Sequence, residues 1–169
     1  ARLLGFELMV NFRLPYFSTS PSDFWSRWHI SLSEWLRDYI FFPMRRALLR
    51  WKGQAGRLIA LLAPPLVTML VSGLWHGTGW NFLLWGFYHG ILMILFQVLV
   101  KERPQPSPTG SHLGQGISFR WVWSRLRPRL IIAIRIVIMF FLVCFGWLIF
   151  RVETSDQLIY FLSYLSLQP

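Results

Sequence analysis

Three long apolar runs dominate the chain, at residues 58–75, 80–100 and 130–150. Each is close to the ~20 residues that a helix needs to cross the hydrocarbon core of a bilayer. The first carries no charge but is interrupted by Pro64-Pro65, which predicts a kink or an effective start at Leu66. The second holds only Tyr88 and His89 as titratable groups. The third is apolar except for Arg135, close enough to one end for its head to reach the interface. With a turn at residues 76–79, the first two runs form a membrane hairpin and the third leads outward. Residues 151–169 then lie on the far side or in a further partial helix. The pattern predicts an all-α, polytopic membrane helix bundle, with about three membrane helices and amphipathic helices at the interface.

A different pattern precedes these runs. Residues 1–16 are mixed, with Pro15 as a breaker, and read as the end of an upstream element and a linker. Ser20 is then a candidate N-cap, Pro21 suits the first helical position, and the Asp23 carboxylate can reach back to free backbone donors. From there Phe24, Trp28, Leu32, Trp35 and Tyr39 recur at spacings of three and four, with Ser26, Arg27, Ser33, Glu34 and Arg37 between them. This predicts one amphipathic helix over 21–40, too charged to span lipid, that lies in the interface or packs in a polar part of the bundle. His29 falls at the boundary between its apolar and polar faces.

Composition supports the membrane reading: 54% of residues are hydrophobic, 18% aromatic and only 14% charged. The formal net charge of +10 does not point to nucleic acid. Most of the Lys and Arg residues fall in residues 45–57 and 101–129, each beside an apolar run, and no nucleic-acid motif accompanies them. The positive-inside rule makes both segments cytoplasmic, which agrees with the hairpin. Residues 105–116 are rich in Pro, Ser and Gly and read as part of a long loop within one bundle, not a domain boundary. Cys144 is the single cysteine, so no intrachain disulfide or cysteine-based metal site forms, and it reads as a small buried apolar residue. The chain starts at Ala1 without a signal-peptide pattern and is read as an internal piece of a longer protein.

Candidate chemistry rests on histidines in apolar surroundings. His76 stands between the first two runs, where an ionisable group is retained at a cost and is expected to face a protein-lined cavity. A neutral imidazole, with an unperturbed pKa near 6.5, can take a proton from an attacking hydroxyl and later return it, which suits acyl transfer to an alcohol. Asn81, Trp85 and His89 follow at four-residue spacing and share one helix face. Asn81 either orients a base or donates to an oxyanion, or else caps a helix or bonds a neighbour. For His89 the structural reading is favoured, a buried imidazole satisfied across a helix contact. Gly73-Leu-Trp-His-Gly77 and Gly86-Phe-Tyr-His-Gly90 share one form, and their small-residue spacing predicts close helix approach beside each histidine. No histidine pair has metal-ligand spacing, and no phosphate loop or nucleophile elbow is present.

Three blocks, Asn11-Phe-Arg-Leu-Pro-Tyr16, Asp23-Phe-Trp-Ser-Arg-Trp-His-Ile-Ser-Leu-Ser-Glu-Trp-Leu-Arg-Asp-Tyr39 and Leu74-Trp-His-Gly-Thr-Gly-Trp-Asn-Phe-Leu-Leu-Trp-Gly-Phe-Tyr-His-Gly90, carry a further signal. They resemble the membrane-bound O-acyltransferase family, in its bacterial branch of alginate O-acetyltransferase-like and D-alanyl-transfer proteins. The resemblance implies transfer of an acyl group, expected to be acetyl, to a hydroxyl on an exported polysaccharide or an extracytoplasmic partner protein. The donor would be a thioester acting as co-substrate, with no tightly bound cofactor and no metal. It implies His76 as the general base and His29 as the residue that binds or orients substrate; Asn81, His89, Trp75 and Trp25 are read beside them as supporting or substrate-binding residues. It also implies that residues 1–169 form one partial domain of this fold in a bacterial cytoplasmic membrane. The partners would be lipid and the remainder of the longer protein, and the piece alone is expected to be inactive. The competing reading is a non-catalytic membrane scaffold or transport component that keeps the motifs for packing.

Overall fold

A computed structural model of the chain describes residues 5, 8–99, 119–152 and 155–166, with 119–128 described by backbone alone. The elements are a 3-10 turn Pro15–Phe17, α1 Pro21–Trp25, α2 Ile30–Leu36, a π turn Arg37–Phe41, α3 Phe42–Leu49, α4 Gln54–His76, α5 Trp80–Leu99, α6 Phe119–Arg151 and α7 Ser155–Ser166. Among the described residues there is no strand. Helices α4, α5 and the 129–151 part of α6 are long and apolar enough to cross a membrane, and most of each is left uncovered by the chain itself.

The α4–α5 hairpin is built by glycines. A Cβ on Gly73 would strike the backbone carbonyl of Phe82, and one on Gly86 that of Met69. One on Gly90 would meet Leu66 Cα at 3.0 Å. The two backbones therefore touch where the small-residue spacing predicts, and dispersion contacts replace the side chains that would hold them apart. The alternative of a start at Leu66 is corrected: α4 begins at Gln54 and continues as helix through Pro64 and Pro65. Both prolines are buried in the helix packing, so tertiary contact offsets the two missing backbone donors.

The predicted single helix over 21–40 is also corrected. Its front end forms as expected: Ser20 Oγ accepts from Asp23 N at 3.0 Å with Pro21 at the first position. But α1 stops at Trp25, His29 takes the left-handed conformation at φ 44°, and α2 restarts at Ile30. The break is held from outside, because Arg13 N donates to Arg27 O at 2.9 Å and Ile30 N donates to Asn11 O at 3.0 Å. Asn11 Oδ1 also accepts from Ser31 N at 3.0 Å and Ser31 Oγ at 2.7 Å. Backbone groups that a continuous helix would pair internally are paired by residues 11–13 instead. The aromatic stripe consequently ends here: Phe24 is buried, whereas Trp35 and Tyr39 are exposed.

Helix α6 packs Met139 and Val143 on Phe24, and Ile149 on Met69 and Trp85. Tyr88 donates its hydroxyl to Leu142 O at 2.9 Å, pinning α5 to α6. Since α6 begins at Phe119, the last part of the 101–129 segment is helical backbone, and residues 101–118 of that expected loop lie outside the described residues. Arg135 is exposed on α6 and Cys144 is half-buried.

Asp23 carries a prediction of its own. Its carboxylate accepts from Thr19 N at 3.0 Å and from Arg27 Nε at 2.6 Å. Burial alone would raise its pKa, but those bonds outweigh it and hold the carboxyl below its ordinary value of 3.8. A carboxylate lowered on folding stabilises fully above its unfolded value, and that contribution is lost as pH falls through the folded value. Asp23→Ala is therefore expected to cost about 0.5–1 kcal/mol at neutral pH, given its partial exposure. Thermal unfolding of the full-length protein should show this deficit shrinking below pH 3.8; a deficit independent of pH contradicts it.

Candidate functional site

Two of the three candidate histidines meet across one indole. His29 sits in the α1–α2 break and His76 is the last residue of α4. The Trp75 ring lies 5.7 Å from the His29 ring and 4.9 Å from the His76 ring, edge-on to both. His29 Nδ1 is buried without a partner among the described residues. A non-glycine residue in the left-handed region with an orphaned ring nitrogen carries two costs at one position, a combination that clusters at functional sites.

His76 is half-buried. It stands at the turn end of both spans, not midway along a span, and protein forms its walls: Phe150 at 5.1 Å, Trp85 at 5.4 Å and Phe82 at 6.4 Å between ring centroids. Among the described residues nothing hydrogen-bonds its ring.

The other candidates occupy different places. His89 lies on the far side of Trp85, 4% exposed, against Trp25 at 5.2 Å and Trp85 at 4.9 Å. A Cβ on Gly146 would come within 2.6 Å of His89 Nε2, so that glycine makes room for the ring. Asn81 Nδ2 donates to Phe150 O at 2.8 Å, linking the start of α5 to the end of α6. Trp25 packs edge-on against Trp85 at 5.7 Å. Among the described residues no three His, Cys, Asp or Glu side chains gather closely enough to share a metal ion.

Trp25 also lines a cavity of about 320 Å³ between the α1–α2 region and the α4–α5 hairpin, shared with Ser33, Thr68, Ser72, Met93 and Gln97. Trp25 Nε1 and Thr68 Oγ1 are both buried without partners among the described residues, and Ser72 is 1% exposed. Unpaired buried donors cost about 1–3 kcal/mol each, and both of these residues line the same cavity. Thr68 and Ser72 were not singled out from the sequence, although a signal existed: Thr68, Ser72 and His76 recur every four residues in an otherwise apolar run. Met93 and Gln97 likewise continue the Asn81, Trp85, His89 face.

The sequence model of MBOAT, the membrane-bound O-acyltransferase family, matches residues 3–143, most of the chain and every candidate residue named above except Gly146 and Phe150. The chain belongs to the membrane-bound O-acyltransferase family. Similar relatives include the probable alginate O-acetylase AlgI of Azotobacter vinelandii, 35% identical over 91% of this chain and 25% of the relative. The teichoic acid D-alanyltransferase of Bacillus subtilis is 30% identical over 88% of this chain and 33% of the relative. The peptidoglycan O-acetyltransferase of Helicobacter pylori is 36% identical over 52% of this chain and 15% of the relative. The chain thus spans about a quarter of the alginate O-acetylase length. Membership in this family, with three apolar helices of spanning length, makes the chain part of an integral membrane protein.

Proposed function

We propose that the longer protein to which this chain belongs is an O-acyltransferase, that His76 is its general base, and that the acceptor is a hydroxyl on an exported polysaccharide or an extracytoplasmic protein. The observation that carries this reading is the His29–Trp75–His76 row; none of the three lines the cavity, whose nearest wall on α4 is Ser72, one helical turn before His76. The names of the relatives, acetyl and D-alanyl transferases for alginate, peptidoglycan and teichoic acid, support the substrate class.

The chemistry follows from the groups present. The acceptor O–H gives its proton to the His76 imidazole as its oxygen attacks the carbonyl carbon of a thioester. The tetrahedral intermediate collapses by breaking the C–S bond, and the imidazolium returns the proton to the departing thiolate. One ester and one free thiol result, and His76 ends as it began. His29, whose buried Nδ1 has no partner among the described residues, binds or orients a substrate hydroxyl. The cavity receives the donor, with Thr68 and Trp25 donating to its carbonyl or amide oxygens. The basic residues 45–57 favour a cytoplasmic placement, which puts the hairpin turn and His76 toward the opposite face, where an exported acceptor would be met.

The test is stoichiometric. Full-length protein in vesicles, given an acyl thioester and a polysaccharide, should yield one ester per thiol released. Thiol release without ester points to hydrolysis and overturns transfer; neither product supports the scaffold reading. Within this scheme Thr68→Val, which keeps the shape but removes the donor, should raise KM for the thioester about three- to tenfold, as expected for one lost hydrogen bond, with kcat nearly unchanged. An unaltered donor KM removes Thr68 from the donor site.

A further inference from the structure

Helix α6 ends at Arg151, so the carbonyl of Phe150 is among the last four that have no partner within the helix. Asn81 supplies that partner from 69 residues away, its Nδ2 donating to Phe150 O at 2.8 Å. The bond caps one helix with a side chain of another. The last turn of α6 carries the Phe150 ring, which stands edge-on to His76 at 5.1 Å, Phe82 at 4.9 Å and Trp85 at 5.4 Å. Phe150 is therefore a wall of the His76 site contributed by a helix that the hairpin does not include. The hydrogen bond of Asn81 goes to the Phe150 backbone, and the ring contact with His76 is made by Phe150.

We infer that Asn81 is a positioning residue: by capping α6 it holds the Phe150 ring against His76 and keeps the imidazole in the orientation that accepts a proton. The inference rests on His76 being the base. A displacement of about 1 Å at a reacting group can cost up to about a hundredfold in rate, so loosening this wall is expected to appear in kcat. It should not alter donor binding, because Asn81 does not line the cavity assigned to the donor.

The experiment is a double-variant cycle in the full-length protein, measured on the monodisperse membrane-inserted fraction. Asn81→Asp keeps the size but loses the amide donor. It is expected to lower kcat about tenfold, with KM for the donor within about twofold, reflecting an interaction that matters in the transition state. Phe150→Leu should lower kcat comparably, and each variant should move the pH midpoint of kcat in the same direction, since both change the packing around one imidazole. The pair combined should be no worse than the more damaging single variant, because residues that act through one another are not additive. Multiplicative losses, or an Asn81→Asp protein with unaltered kcat, overturn the positioning role. If His76→Ala keeps full activity, it is the base assignment that fails, whatever the cycle shows.

Discussion

Replacing His76 with glutamine in the full-length protein is expected to lower ester formation by about 10²–10⁴-fold, the range that a positioned general base supplies. The substitution keeps a planar, hydrogen-bonding side chain of similar reach among Trp75, Trp85 and Phe150, so the surroundings that pack on the ring are disturbed little. Yield, membrane insertion and thermal midpoint should stay near those of the wild type. Loss of transfer with the fold intact separates chemistry from packing, which a bulkier or smaller substitution would confuse. Thiol release should fall in parallel, since without a base the acceptor hydroxyl is too weak a nucleophile to open the thioester. A glutamine variant that acylates normally sinks the assignment of His76 as the base and leaves the proton transfer to another group.

The second large effect lies in the hairpin and reads out in the opposite way. Gly86→Leu puts a Cβ against the Met69 carbonyl, with Met69 C at 3.0 Å and Leu70 Cα at 3.1 Å. These are backbone atoms of a helix and cannot swing aside as the end of a long side chain can. Overpacking of tight contacts costs about 1–3 kcal/mol, and a branched side chain forced between two helix backbones lies at or beyond the upper end. The α4–α5 contact should open, Trp85 should lose its burial, and His76 should lose the walls that both helices provide. The expected result is a sharp fall in the monodisperse fraction and in the thermal midpoint, with activity lost per cell and not only per folded molecule. Gly86→Ala should give a smaller effect of the same sign. A Gly86→Leu protein of wild-type thermal midpoint shows that the two helices are not in close contact.

Much of this architecture could be read along the chain, because it depends on local or periodic signals. The Ser20 cap, Pro21 at the first helical position and the length of each apolar run need only neighbours in sequence. Glycine spacing marked the close contact of α4 and α5, and the four-residue recurrence of Asn81, Trp85 and His89 marked an inward face, which the burial of Trp85 and His89 matches. Thr68 and Ser72 were legible in the same way, as polar steps in register with His76, yet a hydroxyl in an apolar helix is ordinary when it finds a partner. Only the coordinates show that Thr68 Oγ1 has none among the described residues.

The sequence by itself determined which segments are apolar enough to cross a membrane, where the first helix starts, which helix faces turn inward and which histidines carry the chemistry's prospects. Tertiary structure alone decided that the helix breaks at His29, that α4 continues through Pro64-Pro65, that Trp75 stands between His29 and His76, and that Asn81 reaches Phe150. The physical reason is the same in each case. A backbone or ring group takes its partner from a segment far along the chain, as Ile30 N does from Asn11 O, and no periodicity within one segment encodes who that partner will be.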